Sequence, residues 1–146
     1  AQEVFPVVAP SRLGELRRLE DVLAMPAVID SRAMFTWDVW LKEAGLEGRE
    51  ITPRHFFNEA SLCIDAVMGG QGVMLAWQTL AVDAVQEGRL AIPYPVRART
   101  GFGHYFVTAP GARESRKVAI FKSWLREEME RSMQALDACF ASQPAL

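Results

Sequence analysis

Two short polar segments each follow a predicted strand and could bind a small ligand. Asp30, Ser31 and Arg32 come directly after the apolar residues 27–29, and open α/β sheets bind ligands at the carboxyl ends of their strands. Ser31 could contact such a ligand, and Arg32 could pair with an anionic group. The alternative interpretation of this segment is a plain solvated loop.

The second polar segment is the predicted start of a helix after Asn58. The first N–H groups of a helix have no partner inside the helix and lie at the positive end of its dipole, so they suit a carboxylate. Asn58 is also a favourable N-cap residue. Capping alone would account for Asn58 equally well.

Common catalytic and metal-binding patterns are absent from the sequence. It contains no G-x-S-x-G and no H-E-x-x-H motif. His55 and His104 match no metal-ligand spacing. Gly69, Gly70 and Gly72 follow a helix and precede a strand, which is the reverse of a phosphate-binding loop. We therefore expect no enzyme activity, no cofactor and no metal.

Composition excludes further classes of function. The 146 residues are 50% hydrophobic and 23% charged, and the net charge is −2. The basic residues are scattered, so the chain lacks the clustered positive surface that binds nucleic acid. No segment is typical of a signal peptide or a membrane span. The two cysteines suggest no disulfide framework, which favours a reducing cytoplasm.

Hydrophobic periodicity predicts strands that alternate with helices, and such an order is typical of parallel βαβ units. Pro6 indicates that the first strand is an edge or crossing segment. A long amphipathic stripe runs through the last helix. The predicted strands are 3–9, 27–29, 50–57, 72–76 and 101–108; the predicted helices are 13–24, 35–44, 59–68, 80–86 and 115–140.

Seven phrases, taken in order, resemble the C-terminal half of the effector-binding domain of LysR-type transcriptional regulators. The resemblance is to the glycine-cleavage-activator and β-lactamase-regulator group, and it extends to about Glu130. The phrases are EVFPVVAP (3–10), LEDVLAMPAVIDSR (19–32), WDVWLKEAGLEG (37–48), FFNEASLCIDAVMGGQGVMLAW (56–77), EGRLAIPYP (87–95), GHYFVTAP (103–110) and RKVAIFKSWLREE (116–128).

The resemblance implies an α/β fold of the type II periplasmic-binding-protein kind, in which two subdomains are joined by two crossing strands. Residues 1–9 would be the first crossing strand, and residues 10–102 would form the complete second regulatory subdomain. Residues 103–146 would form the return strand and a long C-terminal helix that belongs to the first subdomain. The family's DNA-binding part and the first half of the first subdomain have no counterpart here, so we expect a fragment.

The family binds a small effector in the cleft between its subdomains, and the resemblance implies the contacts. The start of the helix after Asn58 would contact the effector, and Tyr105 on the return strand could donate its phenol proton. An alternative interpretation of Tyr105 is a half-buried strand residue. Ala60 replaces a hydroxyl residue of the β-lactamase-regulator group, which argues against a muropeptide-like acidic ligand. The implied ligand-binding residues are Ser31, Arg32, Asn58, Glu59, Ala60, Ser61 and Tyr105.

The implied partners follow from the same resemblance. DNA would be bound only through the missing N-terminal domain. The final helix would lose its usual packing partners, and large exposed apolar patches are rare on monomers. We therefore expect a homodimer with the C-terminal helix and the crossing strands at its interface. The alternative functions are a stand-alone solute-binding module or a dimerisation module.

Overall fold

The computed structural model describes residues 2–109, 111 and 113–142. A five-stranded sheet with helices packed against it forms the body of the chain. The elements in chain order are β1 (Glu3–Val8), a 3-10 helix (Pro10–Glu15), α1 (Asp21–Ala24), β2 (Pro26–Asp30), α2 (Asp38–Glu43), β3 (Thr52–Phe57), α3 (Ala60–Met68), β4 (Val73–Trp77), α4 (Gln78–Gln86), β5 (Ala98–Arg99) and α5 (Arg116–Ala141).

The sheet is mixed, with the strand order β3-β2-β4-β1-β5. Strand β2 runs parallel to β3 and β4, whereas β1 runs antiparallel to β4 and β5. The expectation of parallel βαβ units therefore holds for β2 with its neighbours β3 and β4, but not for β1. The chain between β1 and β2 contains only the 3-10 helix and the single turn of α1, and β1 pairs with β4 and β5 rather than with β2, so β1 does not begin a βαβ unit.

The predicted helix over residues 13–24 is absent as a continuous element. Local side-chain bonds compete with helix formation there. The Asp21 carboxylate accepts hydrogen bonds from the backbone N–H groups of Arg17 and Arg18, and the Tyr94 hydroxyl donates to the Arg18 carbonyl at 2.7 Å. Residues 16–20 are thus held as an irregular link.

Alternation along β1 divides the core between the two faces of the sheet. Phe5 and Val7 pack with α3, α4 and the end of α5. Val4 and Val8 pack on the other face with α2, and Trp40 is buried there. Pro6 pairs with Leu75 of β4, and on its other side the two-residue β5 covers only Glu3 and Val4. The segment with Pro6 is therefore an inner strand of the sheet. Pro6, which has no N–H to donate, is tolerated because the two-residue β5 does not extend to its position.

The predicted strand over residues 101–108 does not form. The ladder beside β1 comprises β5 and two flanking contacts: the Thr100 N–H donates to the Gln2 carbonyl, and the Gln2 N–H donates to the Phe102 carbonyl. Residues 103–107 then continue without regular structure. A strand requires a neighbour that pairs its backbone groups. Among the described residues, the Gln2–Phe102 hydrogen bond is the last contact of this ladder, and residues 103–107 have no strand beside them.

The long helix α5 matches its predicted bounds closely. Ser115 is its N-cap, and its hydroxyl accepts a hydrogen bond from the Val118 N–H. Leu136 and Phe140 are the buried residues of the helix. Arg97 reinforces this end, because its guanidinium lies 2.6 Å from the Asp137 carboxylate and 4.5 Å from the centre of the Phe140 ring. The second half of α5 is therefore anchored in the core.

Candidate functional site

Parallel pairing places the carboxyl ends of β2, β3 and β4 at one edge of the sheet, which we call the strand-end edge. We define it as residues 30–32, 57–61 and 77–79. Ser31 ties two of these strand ends together. Its backbone N–H and its hydroxyl both donate to the Phe57 carbonyl, at 2.8 and 2.9 Å. Ser31 thus fixes the position of the segment that precedes α3.

Arg32 and Glu59 also meet at the strand-end edge. The Arg32 guanidinium lies 3.4 Å from the Glu59 carboxylate, and both side chains are largely exposed. The Asp30 carboxylate accepts a hydrogen bond from the Arg32 N–H at 2.9 Å. An exposed ion pair of this kind is weak. A ligand carboxylate could therefore replace Glu59 beside Arg32 at small energetic cost.

Helix α3 begins at this edge without a side-chain cap. Its N-cap is Glu59, in extended conformation, and the Glu59 side chain makes no capping hydrogen bond. The alternative reading of Asn58 as a simple N-cap was therefore wrong by one position. Asn58 and Ser61 are exposed, and Ala60 is partly exposed. The structure thus brings Ser31 and Arg32 beside the segment that leads into α3; a part in ligand binding stays a prediction for these residues.

A concavity of about 500 Å³ adjoins the strand-end edge between β2, α2 and the segment 49–53. Trp37 forms part of its wall and is 8% exposed. Trp40 on the same helix is buried, and its indole N–H donates to the Val96 carbonyl at 3.0 Å. The charged residues that line the concavity are Asp30, Asp38, Arg49 and Glu50.

An aromatic and amide corner at the same edge was not predicted from the sequence. The Trp77 ring lies 4.6 Å from the Phe35 ring and 6.3 Å from the Phe102 ring, measured between centroids. Gln2 is 6% exposed, and its side-chain amide lies 2.8 Å from His104 Nδ1. Trp77 ends a strand parallel to β2, so the rule that selected Asp30–Arg32 could also have selected Trp77.

Tyr105 stands apart from the other predicted residues. It is 84% exposed and lies in the irregular segment 102–109. Its ring rests near Gly103. The strand that would have presented its phenol does not form, so the part of Tyr105 in ligand binding stays a prediction.

Cys63 of α3 lies beneath the strand-end edge and is fully buried. Burial, with a smaller contribution from the Asp30 carboxylate, raises the pKa of its thiol to about 11. A thiol with a raised pKa is a poor nucleophile and a poor metal ligand at neutral pH. Across residues 2–109, 111 and 113–142, no group of three or more histidines, cysteines or carboxylates could hold a metal ion.

No helix in the described part of the chain is long and apolar enough to cross a membrane.

The fold is that of the type II periplasmic-binding-protein class, here a mixed α/β sheet with helices on both faces. Solved structures share this fold. The effector domain of AmpR from Pseudomonas aeruginosa superposes with a TM-score of 0.67 at 19% identity, over 92% of this chain and 64% of that chain. The AmpR effector binding domain from Citrobacter freundii gives a TM-score of 0.60 at 16% identity, over 88% of this chain and 64% of that one.

Sequence comparison gives the family. The LysR substrate binding domain model matches residues 1–130. The glycine cleavage system transcriptional activator of Escherichia coli K12 is 27% identical over 128 residues, which are 86% of this chain and 42% of that protein. The transcriptional regulator PerR of the same strain is 25% identical over 135 residues, which are 88% of this chain and 43% of that protein.

The chain therefore belongs to the LysR substrate binding domain family, the effector-binding domains of LysR-type transcriptional regulators. It spans less than half the length of the curated relatives that it matches. The predicted family and fold class are confirmed.

Proposed function

We propose that this chain is the effector-sensing part of a LysR-type transcriptional regulator and that its ligand binds at the strand-end edge and the adjoining concavity. The observation that carries the proposal is the convergence of Ser31, Arg32 and the uncapped start of α3 at the ends of two parallel strands. Open α/β sheets bind ligands at this position. The predicted division into a crossing strand (1–9), a second subdomain (10–102) and a return segment (103–146) is part of this proposal.

The charges at the site favour an effector that carries both an ammonium and a carboxylate group. The concavity has three carboxylates, from Asp30, Asp38 and Glu50, and one guanidinium, from Arg49. A purely anionic ligand would face repulsion from these carboxylates. A zwitterion can place its ammonium among these carboxylates and its carboxylate beside Arg49. Amino acids and short peptides have this chemistry.

We propose that the chain itself neither catalyses a reaction nor binds DNA. Its relatives are regulators of transcription, and DNA binding would come from a part of the whole regulator outside this chain. The chain's net charge of −2 fits a sensing role better than contact with phosphates. A bacterial regulator of transcription works in the cytoplasm, and we place the chain there.

The ligand proposal is tested by isothermal titration calorimetry with the proteinogenic amino acids and short peptides. We expect at least one of them to bind and Arg49→Gln to weaken that binding by about tenfold, because a charge-assisted hydrogen bond is lost. Arg126→Gln is the matched control, since Arg126 is exposed on α5 and should leave the affinity unchanged. Absence of heat with every compound, or equal affinity of the Arg49 variant, would refute the proposed site.

The regulator proposal is tested by the genomic reading frame upstream of this chain. We expect the frame to continue through a helix-turn-helix segment and a further α/β half. A stop codon directly before the chain, together with a ribosome-binding site at its start, would contradict the regulator role and leave only small-molecule binding.

A further inference from the structure

The concavity beside β2 has two ends that the strand register holds apart. Strand β2 runs parallel to β3, and Pro26 at the start of β2 pairs with Thr52 at the start of β3. Asp30 lies four residues further along β2, which is a distance of about 13 Å on an extended strand. Asp30 lines the concavity at its carboxyl end, and the segment 49–51, directly before Thr52, lines it at its amino end.

The carboxyl end of the concavity carries two carboxylates. Asp30 ends β2, and Asp38 begins α2, the helix that follows this strand end. The Arg32 N–H donates to the Asp30 carboxylate at 2.9 Å. The Thr36 hydroxyl donates to the Asp38 carboxylate at 2.7 Å. Each carboxylate is thus oriented by a neutral donor and can accept further hydrogen bonds, so this end favours a ligand ammonium.

The amino end of the concavity carries the cation. Arg49 is the one basic residue among the described residues that line the concavity, and Glu50 is its neighbour in sequence. Arg49 forms no ion pair with any residue in the described part of the chain, so a ligand that binds its guanidinium breaks no existing pair. The charges of Arg49 and Glu50 cancel, whereas Asp30 and Asp38 both repel anions. A ligand carboxylate is therefore favoured at Arg49 alone.

The wall of the concavity between its two ends is largely apolar. Two of its leucines are almost fully buried, and three further apolar side chains are partly exposed. Contact between these exposed surfaces and apolar groups of a ligand removes both from water, which is favourable. The apolar residues in question are Leu41 and Leu75, which are buried, and Ile29, Phe35 and Ile51, which are partly exposed.

We propose that the ligand of this site is a linear peptide of about three residues with apolar side chains, an inference that rests on the function proposed above. Its N-terminal ammonium lies at Asp30 and Asp38, and its C-terminal carboxylate lies at Arg49. An extended chain spans about 3.3 Å per residue, so three residues cover about 10 Å. A free amino acid carries both charges on one carbon atom and cannot reach both ends. The volume of about 500 Å³ suits a ligand larger than one amino acid.

Isothermal titration calorimetry of the full chain with matched peptides tests the length and the two charges. The tripeptide Ala-Leu-Ala should bind at least about tenfold more tightly than free leucine, because it reaches both charged ends. N-terminal acetylation and C-terminal amidation should each weaken binding by about tenfold, since each removes one charge. Equal affinity of leucine and the tripeptide, or of the blocked and unblocked peptides, would overturn the proposal.

Variants of the chain test the direction of the peptide through double-mutant cycles. In Arg49→Gln, amidation of the C-terminus should no longer weaken binding, whereas acetylation of the N-terminus still should. In Asp38→Asn, the effect of acetylation should shrink and the effect of amidation should remain. Arg54→Gln is the matched control, because Arg54 is exposed on β3 and does not line the concavity. The opposite pattern would reverse the peptide and overturn the proposal.

A polar peptide tests the apolar wall and separates this inference from the proposed function. Ala-Ser-Ala should bind about tenfold more weakly than Ala-Leu-Ala, because its central side chain gains little from contact with apolar residues. Equal binding of the two peptides would overturn the apolar preference. A free amino acid that binds as tightly as any peptide, and loses affinity in Arg49→Gln, would overturn this inference and leave the proposed function standing. Binding of no compound would overturn both.

Discussion

The two halves of α5 show the same amphipathic pattern but opposite burial. In the second half, Leu136 is fully buried and Phe140 is 8% exposed, because α4 and the sheet lie beneath them. In the first half, Phe121 and Trp124 are about half exposed. An apolar stripe therefore predicts that a helix needs a covering surface, but not which surface covers it.

The body of the chain, which is the sheet with the helices packed against it, contrasts with the first half of α5. In the described residues, no buried side-chain nitrogen or oxygen atom of the body lacks a hydrogen-bond partner. Even Gln2, beside the strand-end edge, bonds Thr79 and His104. The body thus pairs its own buried polar atoms, whereas the first half of α5 keeps Ile120, Phe121 and Trp124 exposed. The predictions below test this difference.

The largest effect is expected at Gly72, where the segment before β4 lies against Pro26 of β2. Gly72 has φ of 145°, and a Cβ atom there would lie 1.9 Å from the Pro26 carbonyl oxygen. We expect Gly72→Ala to lower the free energy of unfolding by about 3 kcal/mol or more, through steric clash and backbone strain. Urea denaturation measures it. Gly14→Ala is the control, because Gly14 has open space and should change stability by less than about 0.5 kcal/mol.

The second prediction compares two leucines of α5. Leu136→Ala removes a fully buried side chain and should lower the free energy of unfolding by about 3 kcal/mol. Leu125 lies in the first half of α5, and Leu125→Ala should lower the free energy of unfolding by less than about 1 kcal/mol. The measurement is urea denaturation of both variants at the same low protein concentration. Similar losses in the two variants would mean that the halves are equally supported and would remove the basis of the comparison.

A smaller effect is expected at the start of α5. The Ser115 hydroxyl accepts the hydrogen bond of the Val118 N–H at 3.3 Å, so Ser115→Ala should weaken the helix start by about 1 kcal/mol. The loss should appear as reduced helical signal in far-UV circular dichroism of the dilute chain. Ser123→Ala, in the middle of the exposed half, should leave that signal unchanged. Retention of full helicity by the Ser115 variant would show that this end has other support.

The smallest effect is a pH dependence within the body. Burial raises the pKa of Cys63 from its ordinary 9.0 to about 11. The folded state therefore holds this proton where the unfolded state releases it, so the contribution of Cys63 to stability is full below about pH 9 and falls as the pH rises toward 11. Cys63→Ala should lose less stability across this interval than the unmodified chain does. An identical pH profile of the two chains would contradict the assignment.

Most of the fold could be predicted from the sequence because its signals are local. Apolar runs located β2, β4 and the body of α3, and the stripe of α5 located that helix almost to the residue. Strand direction depends on which strands become neighbours, so the order of elements alone could not show that β1 runs antiparallel to β4. Residues 103–107 alternate like a strand, yet a strand also needs a partner for its backbone, which no local pattern reveals.

The part of the candidate site after β2 could be predicted from the sequence, because polar residues that follow an apolar run mark the end of a strand. Ser31 and Arg32 were selected because polar residues follow an apolar run, and residues 58–61 because they begin a predicted helix at positions that the resemblance implies; the two segments lie together in the structure. The Gln2–His104 contact joins residues 102 positions apart. This contact forms because residues 98–102 pair with residues 2–4 at the start of β1, and residue spacing alone cannot show such a pairing. Arg49 likewise reaches the concavity only through the fold.

The most direct test of the central claim is to map ligand binding residue by residue. Backbone amide resonances of the chain would be followed by NMR while the proteinogenic amino acids and short peptides are added one at a time. We expect one of these compounds to shift the amides of Ser31, Arg32 and residues 58–61, with little change along residues 116–131. Shifts confined to α5, or none with any compound, would contradict an effector site at the strand-end edge.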